Sequence, residues 1–177
     1  MFTQRAFTTR YPGRVRVLTT EVGIFLPVSQ EEAIQNPPAI HPCIAVWDTG
    51  ATGTVITRAV ADALGLKSIG VTEVFHAQGK GITNEYLVNV ALPSGVVIPG
   101  VRVTEGVLAG CEVLVGMDII GMGDFAVTNS NSASGTTLSF CIPSAEEIDF
   151  VPRAHDDEVR KNGNRAERRA LSRKKRR

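Results

Sequence analysis

Cys43-Ile44-Ala45-Val46-Trp47-Asp48-Thr49-Gly50-Ala51-Thr52 is an apolar run that ends on an acid and then turns. Residues 40–47 read as a strand, Asp48 stands at its end, and Gly50 marks a tight turn. A carboxylate delivered from a buried strand into a glycine turn is costly to fold unless it has partners and a use. Asp48 is therefore the first candidate for a catalytic group. Residues 54–56 leave the turn as another short strand, and Thr57 is placed to cap a helix over residues 58–64. That helix sets Ala59, Val60, Ala63 and Leu64 on one side and stops at Gly65.

The surrounding composition favours a mainly β protein. At 177 residues the chain suits one domain with tails. Aromatic residues are only 6%, while valine, isoleucine, threonine and glycine are plentiful, as in a strand-rich fold with many turns. Cys43, Cys111 and Cys141 are odd in number and lack zinc-type spacing, so reduced thiols are expected rather than disulfides or a metal knuckle. His41 and Cys43 are close together, but as two residues flanking Pro42 they lack the further ligands a metal needs. No run reaches the length of a membrane span. Arg5, Arg10, Arg14 and Arg16 lie among polar residues without an apolar block and cleavage site, so the expectation is a cytoplasmic protein without a membrane partner.

Along the chain, residues 14–19 alternate and, with 24–26, suggest an opening hairpin. Residues 27–42 read as a loop with one helical turn at 31–34. Two β patterns, 71–76 and 82–92, flank Ala77-Gln78-Gly79-Lys80-Gly81, a glycine hairpin tip. The next hairpin turns at Pro93-Ser94-Gly95 into a strand over 96–103. Val113-Leu114-Val115 is a buried strand followed by Gly116, which lets the backbone pass where a side chain would collide. Asp118 begins a short helix, for which its acid is suited as an N-terminal residue. Residues 124–127 and 136–140 form a last strand pair. No second Asp-Thr-Gly occurs.

Asp48-Thr49-Gly50-Ala51 after an apolar run, with Val113-Leu114-Val115-Gly116-Met117-Asp118-Ile119-Ile120 downstream, resembles the retroviral-type (retropepsin-like) aspartic proteases, and within them the cellular and bacterial branch. The resemblance spans residues 14–143, leaving 1–13 as an N-terminal tail and 144–177 as a polar, then basic, C-terminal tail. It implies a mainly all-β closed barrel, the acid-protease half, with one or two short helices and a flap hairpin. It further implies an aspartic endopeptidase in which Asp48 is catalytic and Thr49, Gly50, Ala51 and Thr52 support it. Gln78, Gly79, Lys80, Gly81 and Ile82 form a flap over a polypeptide substrate, and Gly116 is structural beside the site. An ordinary surface hairpin is the alternative for residues 78–82.

Hydrolysis by this route needs two carboxylates a hydrogen bond apart, one charged and one protonated. With one copy per chain, a homodimer placing two Asp48 residues at its axis is the economical solution, and no metal or cofactor is required. The chain departs from the retroviral pattern at Thr52 and Met117, where that pattern carries an acid and an arginine that pair. Losing both leaves no orphan charge. The alternative function is a non-proteolytic peptide-binding or dimerisation module. Residues 160–177 hold ten Lys or Arg against Glu167, leaving nine basic and seventeen acidic residues elsewhere, a body of −8 and a tail of +9. Residues 165–173 suit a helix without an apolar face. The tail is either a solubilising or self-docking segment or a nucleic-acid tether.

Overall fold

The computed structural model describes residues 4–28, 30–76, 79–129, 135–145 and 147–167. The chain divides into two compact units, Met1–Ala145 and Glu146–Arg177.

The first unit is mainly β. β1 (Arg5–Arg10), β2 (Thr19–Phe25), β3 (His41–Trp47), β4 (Val55–Thr57), β5 (Gly70–His76), β6 (Gly79–Ala91), β7 (Val97–Gly106), β8 (Val113–Val115), β9 (Asp124–Thr128) and β10 (Thr137–Ile142) make two sheets. Seven strands run in the order β2-β3-β8-β4-β7-β6-β5, and β2 also pairs with β6 through Gly23↔Ala91, Ile24↔Val90 and Phe25↔Asn89, so the sheet closes on itself. Closure covers the edge of β2 and leaves β5, which pairs only with β6, as the sheet's remaining edge. This is the closed barrel expected from the sequence. A second sheet has the order β1-β10-β9.

Alternation along β3 builds the core. Cys43, Ala45 and Trp47 are buried, while Ile44 is exposed and Val46 half-buried, the period of two of a strand with one face inward. They meet Ile24, Ile56, Val88, Val90, Val103, Val113 and Val115, all buried. The Trp47 ring lies against Phe7 of β1, Phe125 of β9 and Phe140 of β10 at centroid distances of 5.7, 5.8 and 5.2 Å, so the three-stranded sheet is packed onto the end of β3. Its indole nitrogen donates to Thr20 Oγ1 at 2.9 Å, which satisfies the polar edge of a buried aromatic.

Three expectations are corrected. Residues 1–13 are not a tail outside the fold, because Arg5–Arg10 pairs with β10 over six residues, from Arg5↔Ile142 to Arg10↔Thr137. The opening hairpin is absent. β2 begins at Thr19, and residues 14–18 carry the chain between the sheets, with Val15 N donating to Thr136 Oγ1 at 3.0 Å and Tyr11 Oη donating to Thr19 O at 2.7 Å. The helices within this unit, among the described residues, are α1 (Gln30–Gln35), α2 (Arg58–Ala63) and α3 (Met117–Ile120), where the sequence placed a helical turn, a helix and a short helix. The helix of residues 58–64 is present but turned: Val60 and Ala61 are buried and Leu64 half-buried, with Ala59 and Ala63 exposed. Thr57 holds the N-cap position without a side-chain cap bond, and its buried hydroxyl has no partner among the described residues. Gly65 ends the helix at φ +60, as a glycine C-terminal stop requires.

The second unit contains α4 (Val151–Asn162), a polar helix that the sequence reading left in the tail. Pro152 sits in its first turn, where a missing N–H costs nothing, and Arg160 pairs with Asp157 at 3.6 Å. Of the helix expected over residues 165–173, the part from 168 onward lies outside the described residues. No helix among the described residues is long and apolar enough to cross a membrane.

Candidate active site

Asp48 is held where two strands running the same way end together. β3 pairs in parallel with β8 through Ala45↔Val113, Val46↔Leu114 and Trp47↔Val115. Asp48 N then donates to Val115 O at 3.0 Å, carrying the ladder one residue past the strand. The chain turns at once: Ala51 N donates to Asp48 O at 3.2 Å, and Gly50 N donates to the Asp48 carboxylate at Oδ1, 2.8 Å away. The half-buried carboxylate thus has one backbone donor and an accessible remainder. A Cβ on Gly50 would stand 3.1 Å from that same Oδ1.

The other side of the loop is clasped by the segment after β8. Met117 N donates to Ala51 O at 2.8 Å and Asp118 N to Thr52 O at 3.2 Å. The Asp118 carboxylate accepts Thr54 N at 3.0 Å and the Thr54 hydroxyl at 2.8 Å, while Gly116 N donates to Thr54 Oγ1 at 3.3 Å. Gly116 is the crossing point. A Cβ there would lie 2.5 Å from Gly53 O and 2.6 Å from Gly53 C, both backbone atoms.

Thr54 and Asp118 join the same two segments as the ion pair missing at Thr52 and Met117. Sequence reasoning gave Asp118 a role only at the helix start. It does accept Ile119 N at 3.0 Å, but its main partner is a threonine 64 residues away. The local signal was a threonine six positions after Asp48 and an acid two positions after Gly116. Their pairing is a tertiary fact.

Thr49, Gly50 and Thr52 are exposed and Ala51 is half-buried, so the loop presents its polar face outward. Val46, Leu114 and Val55 are register neighbours on the outward face of β3, β8 and β4. All three are half-buried. The glycine hairpin forms from β5 and β6, with Glu73↔Ile82, Phe75↔Lys80 and His76↔Gly79 in register. Gly79, Lys80, Gly81 and Ile82 open β6, and Ile82 is 80% exposed. Gln78 lies outside the described residues. Lys80 is exposed and reaches Glu73 at 3.2 Å across the hairpin.

The hairpin is rooted by a carboxylate. Glu105 of β7 accepts Tyr86 Oη at 2.6 Å and Asn84 Nδ2 at 3.2 Å from β6, with Arg58 at 3.6 Å. The Tyr86 bond, then the Asn84 bond, hold Glu105 below its ordinary value of 4.5, and burial followed by the Glu105 bond pushes the Tyr86 phenol up. On the barrel's other flank, burial and then the charge of Glu112 push the Cys43 thiol up to about 12, so it is a neutral core group. Cys111 is raised by the same causes in the same order.

No family model matches the chain, and no curated protein matches it. Its structural neighbours are retropepsin-like aspartic proteases. A retropepsin-like aspartic protease from Rickettsia conorii is 14% identical at TM-score 0.48, over 82% of this chain and 98% of that one. The EIAV protease complexed with the inhibitor HBY-793 is 21% identical at TM-score 0.42, over 60% and 86%. The retroviral protease-like domain of Ddi1 from Leishmania major is 18% identical at TM-score 0.37, over 63% and 82%.

Proposed function

We propose that the chain is an aspartic endopeptidase whose catalytic dyad is Asp48 from each of two identical subunits. The observation that carries this reading is the construction around Asp48: a half-buried acid at the end of a parallel strand pair, in a loop gripped on both sides by backbone bonds and by the Thr54–Asp118 clasp. Preorganised carboxylates of this kind serve hydrolysis by activating water and polarising the scissile carbonyl. Two like charges so close share one proton, so their titration belongs to the pair. Thr49 steadies the partner loop, and exposed Gly50 and Thr52 receive the substrate main chain. The hairpin from Gly79 to Ile82, with Gln78, closes over an extended polypeptide by strand addition.

The test compares wild type with Asp48→Asn on a mixed peptide library at mildly acid and neutral pH. Cleavage is expected from wild type alone, and specific activity should fall on dilution as the dimer dissociates. Equal cleavage by both proteins would reject the enzyme. Cleavage abolished by Asp48→Asn yet independent of dilution would retain the acid and reject the shared site.

A further inference from the structure

His41 and Cys43 look incomplete as metal ligands in the sequence, and the fold supplies a third donor. Residues two apart on a strand project to the same side, which brings the His41 imidazole and the Cys43 thiol together at the N-terminal end of β3. Glu112, in the loop leading into β8, is locked to the same strand by two bonds. Its N donates to Ile44 O at 2.9 Å, and its Oε2 accepts Ile44 N at 2.9 Å. One ligand atom from each of His41, Cys43 and Glu112 lies within 4.8 Å of the other two. Cys43 is buried, and His41 and Glu112 are half-buried, so the cluster has a protein floor and an open side. The His41 imidazole has no hydrogen-bond partner among the described residues.

We infer that His41, Cys43 and Glu112 form a binding site for a zinc ion. A nitrogen, a thiolate sulfur and a carboxylate oxygen are the borderline donor set that zinc accepts, and a water completes four-coordination on the open side. Tetrahedral zinc bond lengths require donors about 3.3–3.7 Å apart, inside the 4.8 Å within which the three atoms lie, and rotation of half-buried His41 narrows the difference while Glu112 stays held by Ile44. On binding, the Cys43 thiol releases its proton to solvent and the sulfur takes the metal. The site is not the proteolytic centre. Cys43 precedes Asp48 by five strand residues, about 17 Å at the usual rise. Zinc there acts as a clamp between β3, which delivers Asp48, and the loop that sets the start of β8.

Cobalt(II) titration of metal-stripped full-length protein tests this directly. The expected result is one equivalent bound, with visible ligand-field bands of four-coordination and a near-ultraviolet thiolate-to-cobalt band. Zinc should displace the cobalt and raise the Tm. Cys43→Ser should abolish the thiolate band, while Cys111→Ser and Asp48→Asn should leave it. Because Cys43 is buried and its replacement risks misfolding, His41→Ala and Glu112→Gln provide arms at half-buried positions. Each should weaken binding by more than about tenfold, since losing even a residue that only hydrogen-bonds to a ligand costs roughly 10–100-fold. Absence of saturable binding, loss of the thiolate band in Cys111→Ser, or unchanged affinity in both His41→Ala and Glu112→Gln would overturn the site.

Discussion

Gly116 has no room for even one carbon. A Cβ at that position meets the carbonyl of Gly53, and neither backbone can retreat without pulling on Asp48, because Gly53 lies in the loop that Asp48 opens. Gly116→Ala should therefore act as an overpacking change, lowering stability by about 1–3 kcal/mol. It should cut peptide cleavage further than stability alone explains. Urea denaturation read beside activity separates the two effects, and a variant with unaltered midpoint and turnover would contradict the geometry. Thr54 next door works by hydrogen bonding. Its hydroxyl donates to Asp118 at 2.8 Å and accepts Gly116 N at 3.3 Å. Thr54→Val keeps the shape and leaves a carboxylate and an amide short of partners, at a cost of about 1–3 kcal/mol, whereas Thr54→Ser should stay near wild type. Equal losses in both variants would point to packing rather than to the clasp.

The hairpin of β5 and β6 depends on a charge at its root. Glu105 is held below 4.5 by Tyr86 and Asn84, so the folded state binds its proton less readily than the unfolded chain. Its stabilising contribution is full above 4.5, the unfolded value, and is lost as pH falls through the depressed folded value. Denaturation midpoints followed downward from neutral pH should fall more steeply in wild type than in Glu105→Gln. Parallel curves would remove Glu105 from the account. The strands of this arm were legible because glycines and alternation mark them locally, and the same holds for β3, β8 and the turn at Asp48. β1 was missed because Arg5–Arg10 is polar and half-exposed. Its strand character comes from pairing with β10 across some 130 residues and from Phe7 against Trp47, long-range contacts that no local pattern announces. The face of α2 was misread for a related reason: with so many small apolar residues between 58 and 64, the stripe is degenerate until the barrel chooses Val60 and Ala61. At the site, Asp48 and Gly116 were readable as single residues, while Thr54–Asp118 and His41–Cys43–Glu112 exist only once distant strands are in register.

Across the whole chain the net charge of +1 conceals two opposed halves, a body of −8 and a basic stretch over residues 160–177 of +9. Two uses of that stretch make opposite demands on salt. If it binds nucleic acid, its cations replace condensed counterions on the phosphates. A tail neutralising six to ten phosphates then loses roughly 10³–10⁵ in affinity between about 50 and 200 mM salt. If instead it screens the acidic body, salt weakens an intramolecular attraction, and the stability of the full chain falls with ionic strength while that of a truncated chain does not. Removing residues 160–177 separates these uses. The expected result is that salt-sensitive retention on single-stranded RNA or DNA disappears, cleavage of short peptides persists, and the salt dependence of the denaturation midpoint is unchanged. A midpoint whose salt dependence vanishes on truncation, with no nucleic-acid retention in the full chain, would assign the tail to the body. The prediction favours nucleic acid because α4 already places Asp156, Asp157 and Glu158 ahead of the basic residues on the same short unit, with Arg160 drawn to Asp157 at 3.6 Å. The cations beyond residue 164 therefore carry most of the unit's uncompensated positive charge, a polyelectrolyte segment suited to a phosphate backbone.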